Sequence, residues 1–385
     1  MHHMKNLLPL VFLLSNLAFG ADVLVTIPRE TLENLSHLPD IKMTAVQKKG
    51  FASFQTTSDN LDELSQLVHE KQGHCGGFLT SFTEQIHHQP TQVSYNTLSL
   101  YELSKGDQVR EYLQEVSENR IFETIEWFSS YPTRYYTTKT GIKAMEDLAV
   151  KWRNIVKDLS FAKVELVHHQ KWKQPSVVLT LTGIKNDVII IGGHGDSINT
   201  DENTPLSHAP GADDNASGIS VITEVIKVLS LKGYQPQNTI KFMAYAAEEV
   251  GLLGSMDLAL KYQEAKIPVK GVLQFDGTNY RGSKQFEMVL ISDGTDQVQN
   301  KFLGMLLDTY LKIRWSYDKC GYACSDHYSW TYHGFPASFP AEAKVREENP
   351  HIHTAEDTLS VSNNSAAHSV NFAKLGIAYV LELDK

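Results

Sequence analysis

The sequence predicts an α/β fold, a mostly parallel twisted sheet sandwiched by helices, preceded by a small α+β unit. Three observations predict it. Segments of strand and helix character alternate along residues 106–385. Several strands are almost continuously apolar, as in Val188-Ile189-Ile190-Ile191 and Val272-Leu273-Gln274-Phe275. Acidic and imidazole side chains stand just past the ends of those strands. An unbroken apolar strand is buried on both faces, and such strands belong to sheets covered by helices on each side.

The elements follow in order. Lys5 precedes an apolar run from Leu7 to Leu14, and Ala18-Phe19-Gly20 offers a small-x-small cleavage site, so residues 1–20 have the form of a secretory signal peptide. That run is too short to span a bilayer, and no later stretch reads as a transmembrane helix. Residues 21–105 alternate β-like runs (Val23 to Ile27, Met43 to Val46, Gly50 to Phe54) with one helical stretch, Asn60 to Lys71. The polar stretch Ser104-Lys105-Gly106-Asp107 suits a linker. Beyond it, helix-period segments at Gln108 to Ser129 and Gly141 to Leu159 lead into strands at Ser176 to Leu181 and Asp187 to Gly192. A helix from Ala216 to Leu231, a strand from Thr239 to Tyr245, a helix near Gly254 to Gln263 and a strand from Gly271 to Phe275 come next. A strand at Phe286 to Ile291 and helices at Asp296 to Leu311 and Ala366 to Glu382 complete the chain.

Composition bounds the function. The chain has 385 residues, 42% hydrophobic and 21% charged, enough for one large domain and a smaller one. The net charge of -10 carries no basic patch, which argues against nucleic acid or an anionic membrane as partner. Of three cysteines, Cys320 and Cys324 lie four apart, and in an oxidising compartment a disulfide is favoured over a metal site lacking other soft ligands. Cys75 is left over. His87-His88 and His168-His169 read as surface residues.

The chemistry gathers where strands end. His194 follows the run ending at Ile191, with Asp196 two residues on, where a carboxylate can hold the imidazole's far nitrogen. Asp213-Asp214-Asn215 opens a helix, and alone it is as well read as a helix cap. Glu248 and Glu249 follow Tyr245; alone, they could be a solvated pair at a helix start. Asp276 closes the run ending at Phe275, and His351 and His353 stand in a late loop. Two imidazoles and three carboxylates at one sheet edge suit zinc. A carboxylate able to bridge suits a pair of ions about 3.5 to 4 Å apart.

Together, His-x-Asp at 194–196, Gly-Ala-Asp-Asp-x-Ala-Ser-Gly at 211–218, Ala-Glu-Glu-Val-Gly at 247–251, Asp276 and Ile-His-Thr at 352–354 resemble the M28 zinc aminopeptidases, particularly the secreted bacterial leucyl branch typified by the Vibrio enzyme. The resemblance covers residues 107–385 and implies the zinc exopeptidase fold and two zinc ions. By motif, it implies His194 and Asp276 on one ion, Glu249 and His353 on the other, and Asp214 bridging. It also implies Glu248 as general base, Asp196 orienting His194, a cis peptide bond after Asp214, and Tyr322 beside the substrate carbonyl. A packed aromatic is the plainer account of Tyr322. The expected partners are peptides with a free N-terminus, cleaved by a secreted monomer.

The pocket departs from the leucyl pattern. Gly277 stands for methionine, Ala341 for phenylalanine and Glu348 for tyrosine, which implies a roomier, more acidic pocket and a preference for N-terminal Lys or Arg. An outward-turned Glu348 is the equal alternative. By position and size, residues 21–105 resemble the propeptides of these enzymes, which would make the chain a zymogen. A carboxypeptidase of related architecture and a glutaminyl cyclase of the same fold are the competing readings.

Overall fold

A computed structural model describes residues 22–29, 32, 42–43, 51–72, 77–82, 101–202 and 204–385. The expected signal peptide, Cys75 and the His87-His88 pair lie outside the described residues. Near the N-terminus, β1 (Asp22–Pro28), β2 (Lys42–Met43), β3 (Phe51–Thr57) and β4 (Leu79–Phe82) form an antiparallel sheet in the order β2-β3-β1-β4. Its alternate residues Val23, Val25 and Ile27 are buried with Leu61, Leu64 and Val68 of helix α1 (Leu61–Gln72), as strand and helix periods dictate.

Helices α2 (Gly106–Leu113), α3 (Glu118–Ser129) and α4 (Lys139–Ile155) open the larger part. The segment expected as one helix, Gln108 to Ser129, is two. Ser117 adopts extended backbone and its hydroxyl accepts from Arg120 N, a cap that starts a new helix.

Strands β5 (Ala162–Val167), β6 (Ser176–Leu181), β7 (Lys185–His194), β8 (Asn238–Tyr245) and β9 (Val269–Gln274) join β12 (Ala337–Ser338) in one sheet, ordered β12-β9-β7-β8-β6-β5. The four from β12 to β8 are parallel, and β6 runs antiparallel to β8 at the margin. The expected mostly parallel sheet is therefore borne out. Ile189, Ile191, Phe242 and Leu273 face helices α3, α4, α5 (Gly218–Leu231) and α9 (Ser369–Leu383) in the main core. Their neighbours Ile190, Met243 and Val272 face α6 (Leu253–Glu264) and Trp330 of the short helix α8 (His327–Tyr332) on the other side. Helix α7 (Gln297–Leu306) continues through a wider turn to Leu311.

The strand expected at Phe286 to Ile291 is β10 (Met288–Ile291), which stands apart in a three-stranded sheet with β11 (Trp315–Asp318) and β13 (Pro340–Ala341). His169 corrects another expectation. It is buried, stacked on Trp172 at 4.4 Å, with Nε2 2.8 Å from Ser176 Oγ and Nδ1 2.5 Å from Asp257. His168 is exposed. Among the described residues, no helix is long and apolar enough to cross a membrane.

Candidate metal centre and active site

Register brings the strand ends together. His194 is paired with Tyr245 across β7 and β8, and Gly192 with Gln274 across β7 and β9. The turns after these positions therefore leave the sheet side by side, the place where parallel sheets collect ligands. Glu248 and Glu249 leave β8, and Asp276 leaves β9.

His194 Nε2 lies 3.0 Å from Asp214 Oδ1 and 3.1 Å from Asp276 Oδ1. His353 Nε2 lies 2.9 Å from Asp214 Oδ2 and 3.1 Å from Glu249 Oε2. Asp214 thus turns one oxygen to each imidazole. The peptide bond from Asp214 to Asn215 is cis. Asn215 Nδ2 donates to the Phe275 carbonyl at 2.9 Å, joining this turn to the end of β9.

All five side chains are buried. The carboxylate oxygens of Glu248 take no hydrogen bond among the described residues, and those of Asp214 and Glu249 face only imidazole nitrogens. Buried carboxylate oxygens are rarely left so, and a cation is the usual remedy. The groups able to hold one fall into two sets: His194, Asp214 and Asp276, and His69, Glu249 and His353. Imidazole and carboxylate donors without thiolates suit zinc, so the donors fit the expected metal.

Crowding shows in the protonation. Burial pushes Glu248 well above the usual carboxyl range, and Glu249, Asp326 and Asp276 push the same way. Burial also lifts Glu249 to about 7. Asp214 is held well below the ordinary value because His194 and His353 outweigh its burial. Shifts of this kind mark functional sites.

Asp196 does more than the expected task. It stands 3.5 Å from His194 Nδ1, and its two oxygens accept from the backbone of Glu248 at 3.0 Å and Glu249 at 3.2 Å. One carboxylate therefore sets both the imidazole and the Glu-Glu turn. Cys320 and Cys324 are joined by a disulfide, and the loop carries Tyr322 to a cavity with Gly277, Ala341, Glu342 and Glu348. Asp214 and Asp276 border that cavity.

Three contributors were not legible in the sequence. Asp357 accepts from the amides of Asp213 and Asp214 and from Asn349 Nδ2, tying the His353 loop to the Asp214 turn. Arg134 is fully buried and donates to the carbonyls of Gly195, Pro210 and Gly211. Ser325 donates to Asp276 Oδ2. Each makes a contact across 49 or more positions, beyond the reach of any local pattern.

Residues 176–378 match peptidase family M28. A protein of Arthroderma benhamiae named "Probable leucine aminopeptidase" is 38% identical over 73% of this chain and 77% of its own. The chain belongs to peptidase family M28. A probable aminopeptidase of Saccharomyces cerevisiae is 35% identical over 80% of this chain and 82% of its own. The crystal structure of the Legionella pneumophila LapA aminopeptidase superposes with TM-score 0.83 at 29% identity, covering 95% of this chain and 99% of that one. The expectation of an M28 zinc aminopeptidase, a hydrolase, is borne out at the level of the enzyme class.

Proposed function

We propose that this M28 enzyme is a secreted dizinc aminopeptidase that removes the N-terminal residue from peptides. His194 and Asp276 would hold one ion and Glu249 and His353 the other, with Asp214 placed to serve both. The observation that carries the reading is Asp214, whose two oxygens face two different imidazoles at 3.0 and 2.9 Å. When bound, the ions supply the Lewis acidity that acidifies water and polarises a carbonyl.

The chain's residues do the rest. Glu248, buried and raised above the usual carboxyl range, accepts a proton from the attacking water and delivers it to the leaving amine. Asp196 holds the Glu248 amide and steadies His194. A free, deprotonated α-amine would be a further donor to the centre, which favours cleavage at the first peptide bond over internal bonds or the carboxyl end. A single-ion cyclase would have no need of the full set of five ligands.

Specificity follows from the cavity. Burial pushes Glu348 up to about 7, which supports an inward side chain, and Ile291, Phe339 and Val345 supply apolar lining. A Cβ on Gly277 would meet the buried Glu342 carboxyl at 3.7 Å, so an acid rather than an apolar side chain borders that position. The methylenes of Lys or Arg fit the apolar lining while the cation meets Glu348. Residues 1–20 are read as the export signal, 21–105 as a propeptide and 106–385 as the enzyme.

Metal analysis with Glu248→Gln tests this. Two zinc ions per chain are expected in both proteins, with kcat on an aminoacyl anilide about 10²- to 10⁴-fold lower in the variant. One ion per chain, or full activity in the variant, overturns it.

A further inference from the structure

Helix α1 carries a polar pair in a buried apolar stripe. Leu61, Leu64, Ser65, Val68 and His69 recur at helical spacing, and all five are buried. The leucines and Val68 share a cluster with Ala246, Ala247 and Val250, the turn that holds Glu248 and Glu249. The N-terminal unit is also tied there by backbone: Thr80 N donates to Gly251 O at 3.1 Å and Gly77 N to Ala323 O at 3.2 Å. The stripe therefore lands His69 on the metal centre. Its Nε2 is 3.9 Å from Glu249 Oε2, and its ring meets His353 edge-on with centroids 4.3 Å apart.

Ser65 fixes which ring nitrogen of His69 carries the proton. Its hydroxyl has one hydrogen, and that hydrogen goes to the Glu249 carbonyl at 2.5 Å. Toward His69 Nδ1, 3.1 Å away, the same oxygen must accept, so Nδ1 carries a proton and the neutral ring presents its lone pair at Nε2. This is the arrangement of a ligating imidazole held through its far nitrogen. Tetrahedral zinc sets neighbouring donors about 3.4 Å apart. The 3.1 Å separation of His353 from Glu249 and the 3.9 Å of His69 from Glu249 bracket that value.

We propose that His69 is a further protein ligand of the ion held by Glu249 and His353, so that the N-terminal unit latches onto the metal and closes the enzyme until it is removed. The inference rests on the dizinc reading and deepens it. A catalytic zinc keeps a position open for water or substrate, and His69 fills that position. The coupling is reciprocal: metal tightens the docked unit, and the docked unit tightens metal.

The test uses the intact chain loaded with zinc or cobalt(II), as wild type, His69→Ala and His69→Gln. Zinc-edge X-ray absorption is expected to show three imidazoles shared by two ions in the wild type and two in the variants. The visible cobalt bands shift, affinity for the second ion falls about tenfold or more, and hydrolysis by the uncleaved chain rises severalfold. His69→Gln keeps a hydrogen bond to Ser65 and guards against loss of folding, which circular dichroism checks. Two bound ions with unchanged imidazole count and cobalt spectrum overturn the role of His69 and leave the dizinc reading standing. A wild-type chain that takes up fewer than two ions overturns both.

Discussion

Asp357 never faces the metal centre, yet it holds the backbone on which the bridging carboxylate is mounted. Asp357→Asn places an amide against the Asp213 and Asp214 N–H groups. Zinc affinity measured against a chelator should fall about 10- to 100-fold, with the fold retained. Glu348 gives a second prediction. Burial puts it near 7, and its ionised form is the one that attracts a lysyl substrate. The ratio of lysyl to leucyl kcat/KM should rise with pH up to about 7 and then level. Cations at Asp214 and Asp276 would move that rise lower, and Glu348→Gln should abolish it. A leucyl preference at all pH values contradicts the pocket's assignment. At this scale the ligand motifs were legible because His194, Glu249 and Asp276 stand within a few residues of a strand end and Asp214 and His353 sit in motifs of their own. Arg134, Asp357 and His69 were not, because a buried arginine, a loop aspartate and a helical histidine look ordinary until the fold supplies their partners.

Helix α1 is the element on which the account of the N-terminal unit turns. Leu64 is 1% exposed between β1 and the Ala246–Val250 turn. Leu64→Ala removes buried methyl groups at a cost of about 2 to 5 kcal/mol. Amide exchange should accelerate across α1 and β4 while β7 and β8 stay protected. Equal acceleration in both parts would contradict an independently yielding unit. Elements buried on both faces were legible from their apolar runs. The edge strand β5 was missed because Lys163 and Glu165 are exposed in its middle, and the six-residue helix α8 was missed because it is too short to display a period. The separate sheet holding β10 was not legible, because strand patterning does not say which strands pair.

At the scale of the molecule, the centre is a concentration of buried acid that the fold tolerates by holding protons or metal. Burial lifts Glu249 and Asp326 to about 7 and Asp213 to about 6, above the roughly 4 of an exposed carboxyl. The folded metal-free chain therefore binds more protons than the unfolded chain. Its stability is greatest in acid and is lost as pH rises through about 6 to 7. His194 and His353, also raised, lose their charge in the same direction. The chelated protein should melt at a lower temperature at pH 8 than at pH 5, and zinc should restore most at pH 8. A melting temperature that rises over that range after chelation contradicts this.

The central claim is that Asp214 joins two ions, and anomalous diffraction at the zinc edge tests it most directly. The account predicts two peaks flanking the Asp214 carboxylate, one against His194 and Asp276 and one against Glu249 and His353. A single peak, or density away from Asp214, would contradict it.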